Sequence, residues 1–321
     1  MLTISAFGYR TTKMLITKNI IVVIPVGPNS SAAFVTDTIE SYLFYASGTS
    51  QVVIMDDSQQ GIGEAIAKEL PGIVVLKTKK KMGGWAGLYI SLAEAYYFAL
   101  KHYTFKAILK LDTDALVINR APEKEALSLF ESNEKIGIAG QYPNEYDGTP
   151  WDIAWPKQRI INTTQTWKFF ARPIAHWLLK KQYSAAVRNG YRTGESVFGG
   201  AYFMSYALVK TLADKGLLPN RRFKTLNLGE DHLFAILATG NGFSLRSLSN
   251  DNQPFACAWK DLPAAPEKMY KEGRKVIHSV RGYGQLDEAA IRTFFKMKRK
   301  EEKINPSPSE TVRVTREVTN E

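Results

Sequence analysis

Two aspartates one residue apart are the part of this sequence best suited to chemistry. Asp112 and Asp114 lie between two short apolar runs, residues 107–109 and 116–118, of the kind a buried strand shows. Residues two apart on a strand share a face, so both carboxylates are expected to point the same way. Two like charges this close raise each other's pKa unless they share a cation or are well hydrated. The pair therefore predicts a site for a divalent cation and a diphosphate, with an acidic turn as the simpler alternative.

The elements that would position this pair alternate along the first half of the chain. Apolar runs predict strands at residues 20–26, 51–55, 73–76 and 107–111, and helical spacing predicts helices at 32–45, 61–70 and 88–100. Such alternation with short links predicts an α/β fold with a mostly parallel sheet and helices on both faces. Ligands bind beyond the carboxyl ends of such strands. Pro25, Asp56, Asp57 and the Asp112–Asp114 pair lie at these carboxyl ends and are predicted to line one cleft.

The second half of the chain alternates less regularly. A helix is expected at residues 123–133, a strand at 136–140 and a further helix at 206–214. Glu230 and Asp231 open a helix that Gly240 closes, a short strand at 275–280 carries His278, and residues 287–303 form a basic helix. Residues 166–187 mix aromatic, aliphatic and basic side chains, which suits an amphipathic helix, an acceptor-binding lid or a membrane-surface helix. Pro173 interrupts that stretch.

The domain organisation follows from these elements. Residues 1–19 are a lead-in, residues 20–303 a single domain, and residues 304–321 a flexible tail with two prolines and mixed charge. Within the domain, residues 20–120 hold the regular alternation and residues 121–303 the less regular part.

Composition narrows the class of protein. A hydrophobic content of 45% and an aromatic content of 12% indicate an ordered globular chain and exclude a disordered one. The single cysteine, Cys257, excludes an internal disulfide and favours a reducing, cytoplasmic location. A net charge of +11 favours anionic partners. No RNA-binding aromatic motif or helix-turn-helix pattern supports nucleic acid, and no apolar run reaches the roughly 18 residues that cross a bilayer. Peripheral contact with a membrane surface stays open.

Two other enzyme classes share short motifs with this chain. Gly61-Ile62-Gly63 at a helix start and the Tyr206–Lys210 spacing resemble short-chain dehydrogenases. Those enzymes need a glycine where the backbone nears the cofactor pyrophosphate, and this chain has Asp57 there, after Asp56. A sugar nucleotidyltransferase would need a glycine-rich, arginine-bearing loop after the first strand, where this chain has PVGPNSSA. Both classes are disfavoured.

The ordered set of motifs resembles the nucleotide-sugar glycosyltransferases of the GT-A fold. The resemblance covers residues 20–283 and rests on IVVIPVG, VVIMDDS, KKMGGWAGL, KLDTDALV, FGGAYFMS, LGEDHLF and VIHSV. The first half is more similar to bacterial family 2 enzymes. The second half is more similar to inverting galactosyl- and N-acetylglucosaminyl-transferases.

This resemblance implies a role for each half of the domain and for each motif. Residues 20–120 would bind the nucleotide and residues 121–303 the acceptor. It implies a metal-dependent enzyme that transfers a sugar, from a UDP-sugar foremost, to a hydroxyl of a glycan or other acceptor, with inversion favoured. Asp231 would be the general base. The Mn²⁺ or Mg²⁺ ligands would be Asp112, Asp114 and His278. The nucleotide-sugar would be bound by Pro25, Asp56, Asp57, Gly84, Asp112, Gly200 and Glu230.

Each of these residues also has a purely structural interpretation. Glu230 and Asp231 suit the first turn of any helix, because acidic groups there interact favourably with the helix dipole. His278 could be a hydrogen-bonded core histidine, and Gly84 and Gly200 could serve only tight turns. The chain would then be a non-catalytic nucleotide- or glycan-binding protein.

Overall fold

The computed structural model describes residues 15–165, 173–249 and 254–304. The strands, in chain order, are β1 (Ile16–Thr17), β2 (Ile20–Val26), β3 (Ser50–Asp56), β4 (Val74–Lys77), β5 (Tyr103–Thr104), β6 (Ala107–Leu111), β7 (Ala115–Val117), β8 (Ile136–Gly140), β9 (Ala201–Ser205), β10 (Ser244–Ser247), β11 (Phe255–Cys257), β12 (Val276–His278), β13 (Gly282–Tyr283) and β14 (Leu286–Asp287).

The helices alternate with these strands. They are α1 (Ala32–Tyr45), α2 (Ile62–Glu69), α3 (Ala86–His102), α4 (Lys124–Ser132), α5 (Ala154–Gln165), α6 (Pro173–Arg188), α7 (Tyr206–Asp214), a 3₁₀ helix (Arg221–Thr225), α8 (Glu230–Gly240), α9 (Pro266–Lys271) and α10 (Glu288–Ile304).

A seven-stranded sheet forms the centre of the molecule, in the order β10-β8-β9-β6-β2-β3-β4. All neighbouring strands pair in parallel except β9, which is antiparallel to both β6 and β8. The sequence IIVVIPV of β2 is apolar on both faces because helices cover both sides of a parallel sheet. Ile21 packs in the layer with α3, and Ile20 and Val22 pack on the opposite face. The predicted α/β fold with a mostly parallel sheet is confirmed.

The central strands separate at one end of this sheet. Pairing of β2 with β6 ends at Val23 and Lys110, while pairing of β2 with β3 continues to Val26 and Asp56. Pro25 pairs with Met55 of β3 but has no partner on the β6 side, where its missing N–H costs no ladder bond. The chain runs from β2 outwards through β3 and β4, and β6 then adds to the other side of β2. The change of direction leaves a crevice at the carboxyl ends of β2 and β6.

A smaller sheet stands next to this crevice. It has the order β11-β12-β7, with β12 parallel to β11 and antiparallel to β7. Its far face packs on the carboxy-terminal helix α10 through an apolar cluster that includes Leu116, Ile277 and Phe295. Since β7 follows β6 after three residues, Asp112-Thr113-Asp114 is the link between the two sheets.

The expected elements agree with the structure in most places. The strands at residues 20–26, 107–111 and 136–140 and the helices at 32–45 and 206–214 have the predicted bounds. In the described part of residues 166–187 the expected helix is present as α6, which begins at Pro173, a residue suited to a first helical position. Residues 166–172 and the predicted tail after Ile304 lie outside the described residues. Ile16–Thr17, within the predicted lead-in, pairs with Tyr103–Thr104.

Further elements were missed, among them the helices α5 and α9, the strand β9 and the two short strands β10 and β11. The two strands are only three or four residues long, so alternation could not reveal them. Among the described residues, none of the helices combines the length and apolar character that a bilayer crossing requires.

Candidate functional site

The link Asp112-Thr113-Asp114 is a tight turn in which all three backbone carbonyls and the Asp112 N–H are hydrogen-bonded. The Asp112 N–H donates to the Gly200 carbonyl (2.9 Å), and the Ala115 N–H donates to the Asp112 carbonyl (3.1 Å). The Asp114 carbonyl accepts from the N–H of Val280 (2.9 Å). Both aspartates are therefore fixed by backbone contacts with distant parts of the chain, which is the condition for a well-oriented pair of carboxylates.

His278 lies opposite this turn because β12 pairs antiparallel with β7, with His278 in register with Ala115. Its Nε2 is 3.2 Å from Asp114 Oδ1. The expected approach of His278 to Asp114, 164 residues away in sequence, is confirmed. Asp114 Oδ2 accepts from the Ser279 hydroxyl (2.8 Å) and lies 2.8 Å from Arg281 Nε. Burial raises the pKa of Asp114, but His278, Arg281 and Ser279 outweigh it and hold the pKa well below its usual value. Asp114 is ionised at neutral pH.

The ring of His278 is oriented through its other nitrogen. Nδ1 is 2.9 Å from the Ala258 carbonyl, which cannot donate, so Nδ1 carries the proton of this contact. With a cation bound, Nε2 would present its lone pair to it on the side of Asp114. Metal-binding histidines commonly donate their second N–H to a carbonyl in this manner.

A divalent cation fits this donor set. One ligand atom from each of Asp112, Asp114 and His278 lies within 4.8 Å of the others. Two carboxylate oxygens and an imidazole nitrogen are common ligands of Mn²⁺-like cations. Gly200 belongs to the same arrangement, since a Cβ there would come within 2.6 Å of the His278 ring. Glycine is required at this position by the close approach of the ring.

Lys110 is the buried partner of this site that sequence reasoning missed. Its side chain is 0% exposed, and Nζ lies 2.6 Å from Asp112 Oδ1 and 3.7 Å from Glu230 Oε1. Nζ also donates to the Gly199 carbonyl. Burial lowers the pKa of Lys110, but the charges of Asp112 and Glu230 outweigh it and raise the pKa. A lysine within an apolar strand, two residues before Asp112 and on the same face, was the available signal.

Glu230 and Asp231 start the same helix, α8, but their side chains differ in environment. Glu230 is buried beside Lys110, and burial raises its pKa to about 8. The Asp231 side chain is 21% exposed. Its Oδ2 accepts from the Ser196 hydroxyl at 3.3 Å. Of the two acids, Asp231 has the more exposed side chain, since that of Glu230 is 11% exposed.

Gly199 and Gly200 bring these acids next to the candidate metal ligands. A Cβ on Gly199 would lie 3.1 Å from Glu230 Oε1 and 3.5 Å from the Asp231 Cβ, while one on Gly200 would meet His278. The start of α8 and the histidine therefore flank one two-residue segment. The sequence-based grouping of these residues in a single site agrees with these distances.

Asp56 and Asp57 lie at the same edge of the sheet but are engaged by backbone amides. Asp56 accepts from the N–H groups of Ser58 (2.8 Å) and Gly63 (2.9 Å). Asp57 accepts from the Thr78 hydroxyl (2.6 Å) and from two N–H groups of the loop before Gly84. Asp57 thus fixes the loop that leads into α3. Pro25, which pairs with Met55, lines the crevice on the neighbouring strand.

Comparisons with known proteins find similarity in structure alone. No family model and no curated protein matches the chain. Solved structures similar to it include a mannosyltransferase, PcManGT from Pyrobaculum calidifontis in complex with GDP-Man and Mn²⁺ (14% identity, 73% of this chain, 55% of that chain, TM-score 0.44). A second is the bifunctional glycosyltransferase WbbM (12% identity, 93% of this chain, 52% of that chain, TM-score 0.46). A third is the galactosyltransferase LgtC with donor and acceptor sugar analogs (11% identity, 88% of this chain, 95% of that chain, TM-score 0.45).

All three structures are glycosyltransferases by name. The chain spans about half the length of the first two. At identities of 14% or less and TM-scores no higher than 0.46, a function has to be inferred from the site itself.

Proposed function

We propose that this protein is a metal-dependent glycosyltransferase of the GT-A type, which moves a sugar from a nucleotide donor, a UDP-sugar foremost, to a hydroxyl of a glycan or other acceptor. One observation carries the proposal. Ligand atoms of Asp112, Asp114 and His278 cluster within 4.8 Å at the carboxyl end of β6, where the sheet changes direction. This is the location at which α/β sheets bind nucleotides.

Asp112, Asp114 and His278 would hold Mn²⁺ or Mg²⁺ in this role. When bound, such a cation supplies positive charge that offsets the charge developing on the leaving diphosphate. Two cationic side chains of the protein, those of Lys110 and Arg281, would add to this positive charge. Lys110 holds Asp112 and orients one of its oxygens, and Arg281, whose side chain is 64% exposed, lies beside Asp114 with room to meet a phosphate.

Asp231 would take the proton from the acceptor hydroxyl. As the acceptor oxygen bonds to the anomeric carbon, the bond from that carbon to the diphosphate oxygen breaks, and the hydroxyl proton passes to a carboxylate oxygen of Asp231. A partly exposed carboxylate in the first turn of α8 suits this task, because a base must be able to reach the acceptor hydroxyl. A base on the acceptor favours direct displacement, and hence inversion at the anomeric carbon.

The nucleotide would lie along the crevice between β2 and β6. Pro25 and Asp57 would frame the base and ribose, and Asp56 would support them through the turn that it holds. The backbone of Gly84 would approach the donor at the start of α3, while Gly200 and Glu230 would line the sugar side. Asp57 supports this arrangement by fixing the preceding loop at Met82 and Gly83.

The direct test is a donor hydrolysis screen over UDP- and GDP-sugars, with and without Mn²⁺. Hydrolysis of one donor that requires the cation would support a transferase. A second outcome is that nucleotides stabilise the protein against heat while no donor is turned over, whether or not a panel of glycan acceptors is added. This outcome would favour the alternative, a non-catalytic nucleotide-binding protein. If no nucleotide stabilises the protein and no donor is turned over, both functions are contradicted.

A further inference from the structure

The middle residue of the acidic motif has a carbonyl that meets side chains from two distant helices. Thr113 O accepts from Arg292 Nη2 of α10 at 2.7 Å. It also lies 3.0 Å from the hydroxyl of Thr38 in α1. The carbonyls on either side of it, those of Asp112 and Asp114, accept from backbone N–H groups. Thr113 is thus the one position of the motif whose orientation depends on side chains.

The Thr38 hydroxyl cannot by itself donate to both of the carbonyls that it faces. The hydroxyl of Thr38 lies within 2.9 Å of the Ala115 carbonyl as well as 3.0 Å from that of Thr113, but it has a single proton. Arg292 Nη1 donates to the same hydroxyl at 3.3 Å. With Arg292 supplying Thr113, the Thr38 proton is available to Ala115, and each carbonyl has its own donor. Without Arg292, one buried carbonyl would lack a partner.

Arg292 is itself held in place by charge. Its side chain is 2% exposed, and it pairs with Asp37 (3.0 Å) and Glu288 (2.8 Å). Asp37 of α1 is 1% exposed and also pairs with Arg299, which lies in α10 like Arg292. A buried guanidinium with two carboxylate partners has little freedom to rotate, because leaving either charge unpaired is costly. The position of Thr113 O is therefore fixed from both helices.

We propose that Arg292 and Thr38 are positioning residues for the candidate metal site, and that α10 is a working part of that site. Rotation of the Thr113 peptide groups would turn the Cα–Cβ directions of Asp112 and Asp114 relative to each other. Fixing the Thr113 carbonyl prevents this rotation and keeps both carboxylates towards His278. The inference rests on the proposed function, because it takes Asp112 and Asp114 as ligands of the cation.

The test measures Mn²⁺ affinity of the full chain by calorimetric titration with Mn²⁺ alone, without any donor. Arg292→Gln is expected to weaken Mn²⁺ binding about 10- to 100-fold, the usual effect of losing a residue that orients metal ligands. Arg299→Gln is the matched control. It removes another arginine of α10 that pairs with Asp37. Within residues 15–165, 173–249 and 254–304, Arg299 makes no contact with the acidic motif. Both variants should lower the melting temperature, and only Arg292→Gln should lower the affinity.

Thr38→Val supplies an independent variant in case Arg292→Gln does not fold. It removes the hydroxyl at nearly constant volume and should also weaken Mn²⁺ binding. Equal Mn²⁺ affinity in wild type and Thr38→Val or Arg292→Gln would overturn the inference while leaving the metal site intact. An equal loss in Arg299→Gln would also overturn it, by reducing Arg292 to a general contributor to stability. A wild-type chain that binds no Mn²⁺ would overturn the proposed metal site and this inference together.

Discussion

Two acidic pairs follow parallel strands in this protein, and they differ in what surrounds their carboxylates. Asp56 is the last residue of β3 and Asp57 follows it, and both accept hydrogen bonds mainly from backbone N–H groups within 26 residues of them. Asp112 and Asp114 follow β6 and meet the side chains of Lys110, His278 and Arg281.

The difference separates an acidic pair that shapes loops from one that can exchange partners with a ligand. Backbone amides fixed in a turn or helix start cannot leave without unfolding that turn, so Asp56 and Asp57 are committed to local structure. Side-chain cations can move, and Arg281 is largely exposed. The following changes test this distinction, in order of decreasing expected effect.

Asp114→Asn should abolish metal-dependent UDP binding. The change removes an anionic oxygen ligand that is ionised at neutral pH, and the amide that replaces it carries no charge to balance the cation. Calorimetric titration with UDP in the presence of Mn²⁺ measures this, with an EDTA-treated sample to define metal-independent binding. Unchanged affinity would remove Asp114 from the site and make the two acidic pairs equivalent.

Asp231→Asn should lower turnover about 10²- to 10⁴-fold, the usual contribution of a general base. Donor affinity and melting temperature should change little, because asparagine suits a helix start and the contribution of a base lies in the transition state. Turnover, donor affinity and melting temperature are measured on one preparation. A loss of stability with turnover retained would assign Asp231 a structural role and make Glu230 the next candidate for the base.

Asp57→Asn should lower the stability of the protein and shift the loop before Gly84, and it should leave the candidate metal site unchanged. Its carboxylate accepts from Met82, Gly83 and Thr78, so an amide in its place would put an NH2 donor where one of the accepting oxygens lies and cost about 1–3 kcal/mol in free energy of unfolding. Donor affinity should fall because the loop before Gly84 shifts, whereas Mn²⁺ affinity should not change. Chemical denaturation and Mn²⁺ titration check the two parts. A loss of Mn²⁺ affinity as large as that of Asp114→Asn would contradict the distinction between the pairs.

Glu230 should make stability depend on pH. Burial raises its folded pKa from 4.5 to about 8, so between these values the folded protein holds a proton that the unfolded chain has released. Its contribution to stability is present at low pH and is lost as pH rises through this window. Glu230→Gln, which stays neutral, should therefore gain stability relative to wild type between pH 5 and 8. Denaturation at a series of pH values gives the difference, and a constant difference across this range would show that Glu230 stays charged when folded.

The sequence determined the order of the secondary structure and the identity of both acidic pairs. Strands such as Ile20–Val26 and helices such as Ala32–Tyr45 follow from apolar runs and helical spacing, which are properties of neighbouring residues. The grouping of Asp114 with His278 was expected from resemblance to a known family, and the structure brings them together. Placing both pairs at one edge of a parallel sheet needed only the rule that ligands bind at the carboxyl ends of strands.

Only the tertiary structure decided which carboxylates are committed to the fold and which face the crevice. That distinction depends on Lys110 being turned towards Asp112 and Glu230, and on β9 inserting antiparallel between β6 and β8. It depends also on Arg292 reaching Thr113 from 179 residues away. Such contacts form because packing brings distant segments together, and no local pattern in the chain encodes their distances.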